Sequence, residues 1–179
     1  MRKTRTTLAG LFIAATVALG CGAADTEDTV SSETGADATT EEKPAKKSAG
    51  IGDKVRDGKF EFTVKSMKCG VDTVGDQYLN EKAQGQFCLV TVKVKNIGKE
   101  AQTFSDSEQK AYSSDGVEYS TDTAAGLYAN KEASTFFNEI NPGNQITGVL
   151  VYDIPKKTKL TKIELHDSLF SGGVTVSLG

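Results

Sequence analysis

Apolar and polar positions alternate with period two in three stretches, and each alternation predicts a half-buried β-strand. In "KFEFTVKSM", Phe60, Phe62 and Val64 are interleaved with Glu61, Thr63 and Lys65. In "FCLVTVKVKN", Cys88, Val90, Val92 and Val94 share a face, with Thr91, Lys93 and Lys95 opposite. In "ITGVLVYDI", Ile146, Leu150, Tyr152 and Ile154 lie together. "LTKIELH" and "GVTVSL" supply the last strands, and turn residues separate them all. Asp115-Gly116 predicts a hairpin turn, and "NPGNQ" over residues 141–145 is a second break. Only residues 121–134, "TDTAAGLYANKEAS", have the composition of a helical turn, and Gly126 weakens it. Short strands at regular spacing predict an all-β fold, an antiparallel β-sandwich or a barrel.

The first fifty residues follow a different pattern. Arg2, Lys3 and Arg5 precede a twelve-residue apolar run, "LAGLFIAATVAL", which is too short to span a bilayer at ~20 residues. A basic start and a short apolar core ending in small residues mark a secretory signal over residues 1–20. Gly20-Cys21 stands at the cleavage point and resembles the bacterial lipobox, in which the cysteine after a small residue receives a diacylglyceryl group carrying fatty acyl chains such as palmitate. Ala18 departs from that pattern, which prefers Leu, Val or Ile three positions before the cysteine. Ordinary signal cleavage and an uncleaved anchor are the alternatives. Two acyl chains anchor firmly where one binds only reversibly. Residues 21–50 are polar, with seven acids and then Lys43, Lys46 and Lys47, and read as a disordered tether reaching roughly 30 Å.

Residues 51–179 then form the folded domain, with 15 basic and 17 acidic residues. That near-balance argues against nucleic acid as a partner. Export favours oxidised thiols, so with Cys21 on lipid the remaining two cysteines, Cys69 and Cys88, pair. They bracket residues 70–87, read as an insert between the first two strands. Strict alternation from Phe60 places Cys69 on the polar face, so the pairing needs a bulge near residues 66–68 or an early strand end.

Several stretches resemble the telokin-like, immunoglobulin-like domain of bacterial surface lipoproteins, a family catalogued as a domain of unknown function. They are the leader, the tether, "IGDKVRDGKFEFTVKSM", "VKVKNIGKEAQTF", "SSDGVEY" and above all "INPGNQITGVLVYDIP". The resemblance implies an immunoglobulin-like sandwich of seven or eight strands in an extracellular setting. It carries no catalytic or ligand residues across.

Candidate chemistry is sparse. His166, the single histidine, stands beside Asp167 and Ser168, but strand neighbours point to opposite faces and do not form a triad. Asp72, Asp76, Asn80 and Glu81 offer oxygens without the spacing of a calcium loop, and no metal or cofactor is expected. Three features read as possible binding surfaces. Tyr78 with Leu79 and Leu127 with Tyr128 sit in loops that a rigid sandwich would present. Of Phe136 and Phe137, one ring faces in and the other, taken as Phe137, faces out. Lys156, Lys157, Lys159 and Lys162 form a basic cluster suited to anionic headgroups or wall polymers, or to guarding sheet edges. The expected function is a non-enzymatic module, lipid-anchored on the extracellular side of the cell membrane, binding an envelope component or protein partner. A small-molecule or ion-binding lipoprotein is the alternative, and a hydrolase with paired carboxylates ranks below it.

Overall fold

The computed structural model describes residues 48–130, 132 and 135–179. The leader, Cys21 and nearly all of the tether lie outside the described residues.

The alternating stretches are strands, as their pattern requires. β1 (Lys54–Asp57), β2 (Phe60–Gly75), β3 (Asn80–Asn96) and β8 (Gln145–Ile154) form one antiparallel sheet in the order β1-β2-β3-β8. The second sheet has the order β10-β9-β5-β6, built from β5 (Lys110–Ser113), β6 (Glu118–Ser120), β9 (Leu160–Leu165) and β10 (Val174–Ser177). A two-residue ribbon pairs β4 (Gln102–Thr103) with β7 (Glu139–Ile140). Two four-stranded sheets make the eight strands of an immunoglobulin-like sandwich, and the ribbon adds a short accessory pair.

The core lies between the sheets. Phe60, Phe62 and Val64 of β2 and Cys88, Val90, Val92 and Val94 of β3 meet Ala111, Ile163, Leu165 and Val176 from the opposite sheet. Phe60, Phe62, Phe104 and Phe136 form a ring cluster with centroids 5.1–6.0 Å apart, in tilted and edge-on geometry. The Phe136 ring lies directly on Gly148 of β8: an added Cβ there would sit 2.3 Å from Phe136 Cζ. Buried Asn96 closes one end of the sandwich. Its side-chain amide donates to the carbonyls of Glu100 and Ile140, both at 2.7 Å, and its oxygen accepts from the Gly98 amide. The 141–144 turn docks on its backbone, the Asn96 amide donating to the Asn144 carbonyl and the Gly143 amide to the Asn96 carbonyl.

A bulge resolves the position of Cys69. Val64 faces Val92 and Ser66 faces Thr91, so Lys65 is the extra residue and the side chains from Ser66 to Cys69 change face. Met67 joins the core opposite Val90, and Cys69 reaches Cys88, to which it is disulfide-bonded with Cα atoms 4.0 Å apart. The bulge falls one residue before the stretch where the sequence asked for it. Residues 70–87 are not a loop insert. β2 and β3 continue past the disulfide as one long hairpin, turning only at residues 76–79. Further register shifts between Lys68 and Val71 and between Val71 and Thr73 scramble the period while keeping the ladder, which hid these strands from alternation.

The helical turn expected in residues 121–134 is α1 (Thr123–Ala129), capped by the Asp122 carboxylate accepting from the Ala125 amide at 2.9 Å. It does not pack into the central core. Ala125 covers Val74, Phe87 and Val151 on the outer face of the first sheet, forming a second small apolar cluster.

Candidate binding surfaces

The outer face of the first sheet carries the most built surface among the described residues. Beyond the part that α1 covers, its floor is Leu89 and Val149, with the hydroxyls of Ser66, Thr91 and Thr147 beside them. Two concavities of about 500 and about 420 Å³ flank Ala129 and share Thr91, Ala129 and Val149, so they form one groove bending around the C-terminal end of the helix. Tyr128, 38% exposed, stands on its wall. Asn130 fixes that wall. Its amide donates to the Val149 carbonyl at 3.0 Å and accepts from the Val149 amide at 2.8 Å, as a neighbouring strand would. The Asp122 amide satisfies the Val151 carbonyl in the same way. The free edge of β8 is thereby closed to strand addition at these positions.

The residues singled out in the sequence do not converge. Tyr78 and Leu79, 83% and 65% exposed, cap the tip of the long hairpin. The Asp76 carboxylate accepts from both their backbone amides, at 2.7 and 2.8 Å, and these donors hold its carboxyl below the usual range. Leu127 and Tyr128 sit on α1, and only Tyr128 lines the groove. Phe137 points outward from the turn before β7 and adjoins Asn138 of the groove rim. Lys156 and Lys157 are exposed in the β8–β9 turn, where Lys156 lies 3.7 Å from Asp72 of β2. Lys162 belongs to another surface, stacked 4.5 Å over the Tyr112 ring on the second sheet. There Glu164 and Glu118, with burial foremost, push the Tyr112 hydroxyl up to about 12.

Sequence reading missed the groove and the pair Leu169 and Phe170, which are 70% and 94% exposed in the β9–β10 loop at the end opposite the hairpin tip. The signal for the groove was present: Phe87, Leu89, Val149 and Val151 are apolar on the face where an open sheet would be polar, so something covers part of it. The signal for the loop was an adjacent apolar pair within "DSLFSGG".

His166 is placed by Gln109, whose buried side chain accepts from the His166 amide and donates to its carbonyl. The ring contacts neither Asp167 nor Ser168 as expected of a triad. Nε2 lies 3.0 Å from Glu164 Oε1 and Nδ1 lies 3.4 Å from Ser171 Oγ. Ser171 Oγ, however, donates its proton to the Ser168 carbonyl at 2.9 Å, so the ring is not positioned to take it. Elsewhere, Arg56 and then Lys54 hold the Glu61 carboxyl below its usual range, which ties β1 to β2.

Comparison with known proteins supplies the fold's relatives. A family model described as "Domain of unknown function (DUF4352)" matches residues 49–175. No curated protein matches the sequence. Several solved structures are similar, and three illustrate the range. MPT63, a secreted protein from Mycobacterium tuberculosis, is 18% identical with a TM-score of 0.54, over 73% of this chain and 95% of that one. The yjhA protein from Bacillus subtilis is 15% identical with a TM-score of 0.51, over 73% and 99%. A β-sandwich protein from Clostridium difficile is 16% identical with a TM-score of 0.47, over 74% and 95%. At such identities the first two show the sandwich fold alone.

Proposed function

This chain belongs to the family described as a domain of unknown function, DUF4352, and from that premise we propose that it is a non-enzymatic, telokin-like surface module. It is held by lipid on Cys21 at the outer side of the cell membrane and binds an envelope component through the outer-face groove. One observation carries the reading. The groove joins two concavities around the end of α1, and Asn130 locks its wall in place. Preorganised walls of this kind lower the ordering cost of binding. The leader and Gly20-Cys21 support the anchor, and the secreted nature of MPT63 accords with export. The serine near His166 is committed to a carbonyl, which supports binding rather than hydrolysis.

The test is photo-cross-linking on intact cells from a photoreactive residue replacing Tyr128, with the same residue at Lys162 as control. The reading predicts an adduct with an envelope component at position 128 and none at 162. Equal labelling from both positions, or no adduct from position 128, would remove it.

A further inference from the structure

We infer that the groove takes a neutral, extended saccharide chain; the inference rests on the proposed reading that this groove is the binding surface. The first reason is where hydrogen bonds are available. On a sheet face the backbone amides and carbonyls lie in plane and are consumed by neighbouring strands. At the β8 edge the Val149 amide and carbonyl are taken by Asn130 and the Val151 carbonyl by Asp122. A peptide adding as a strand therefore finds the ladder closed at Val149 and at the Val151 carbonyl, beside the groove. What the face does offer is side-chain hydroxyls. Those of Ser66, Thr73, Thr91 and Thr147 all border the groove, and none makes a hydrogen bond within the described residues. Each both donates and accepts, which matches the hydroxyls of a sugar.

Charge is the second reason. Among the described lining residues Lys68 is the single charged group of one concavity and Glu132 that of the other. The shared stretch between them, Thr91, Ala129 and Val149, is uncharged. An anionic polymer would meet one lysine and be repelled at Glu132, whereas an uncharged chain passes both. Shape is the third. Val71, Leu89 and Val149 form an apolar floor for the C–H faces of sugar rings, and Tyr128 presents an aromatic side wall. From Ser66 to Gly75 the lining follows ten residues of β2, a run of at most about 30 Å at the strand rise. That length suits a chain better than a single small molecule.

The test uses the detergent-solubilised full chain and insoluble envelope glycan from the producing cells, stripped of protein by protease and of lipid by solvent. Retention on that glycan is predicted to survive 0.5 M salt, since about that ionic strength screens charge pairs. The Thr91→Val/Thr147→Val double variant keeps shape and strand propensity, and should weaken retention by about tenfold or more through two lost hydrogen bonds. Tyr128→Ala should weaken it independently, while Tyr78→Ala and Phe170→Ala leave it unchanged. No retention, retention abolished by salt, or retention indifferent to the groove variants would each overturn the saccharide. If glycan retention fails while the position-128 adduct forms on cells, the groove still binds and only its occupant is wrong. If both fail, the two readings fall together.

Discussion

Gly148 shows how one missing atom organises a core. The Phe136 ring occupies the space its Cβ would fill and is itself held against Phe104 at 5.1 Å, so the ring has nowhere to retreat. Gly148→Ala should destabilise by about 1–3 kcal/mol despite the better strand propensity of alanine, because overpacking outweighs it; urea unfolding reads the change. Asp76 makes a pH-dependent contribution at the hairpin tip. Its carboxyl is held below the ordinary value by the Leu79 and Tyr78 amides, so its contribution is fully present above the unfolded value of about 4. It is lost as pH falls through the lower folded value. Amide resonances of Tyr78 and Leu79 should therefore move together in acid, below pH of about 4; a midpoint at or above that of a free aspartate would contradict the capped geometry.

Among the elements, the long hairpin is where sequence and structure part most clearly. The first half of β2 reads as a strand because Phe60, Phe62 and Val64 keep strict alternation against a polar face. Past Lys65, three register shifts break the period, and Gly70, Asp72 and Gly75 resemble a loop, although pairing persists to Gly75 and Asn80. Long-range partners hold these residues in a ladder, and periodicity within one strand does not record them. The Cys69–Cys88 bridge crosses the hairpin and closes a separation of 19 residues. Replacing both cysteines by alanine should cost about 3 kcal/mol in the loop-entropy picture, seen as a lower melting temperature. α1 gives the opposite expectation. At Gly126 an added Cβ meets only Asp106 Oδ2, at an ordinary 3.6 Å. Gly126→Ala should therefore stabilise by about 0.5–1 kcal/mol, and a loss of that size would show the helix end to be more tightly packed than described.

For the molecule as a whole, the sequence was most informative about strands and least about where binding surfaces assemble. The groove depends on α1 lying over a sheet face whose strands come from residues 60–96 and 145–154, and on Asn130 meeting Val149. Each piece is visible alone, as apolar residues on an outward face or a short helix with an Asp cap, but their juxtaposition is a property of the fold. Tyr128 was singled out as a loop residue and instead forms a helical wall. Leu169 and Phe170 were passed over although they are among the most exposed apolar side chains described. A groove for envelope material has its proposed role only if the sandwich is fastened outside the membrane. The most direct measurement is the intact mass of the processed protein with fragmentation of its N-terminus. The account predicts a chain beginning at Cys21 with a diacylglyceryl group on its sulfur; a leader still attached, or a Cys21 thiol free or joined to another sulfur, would contradict it.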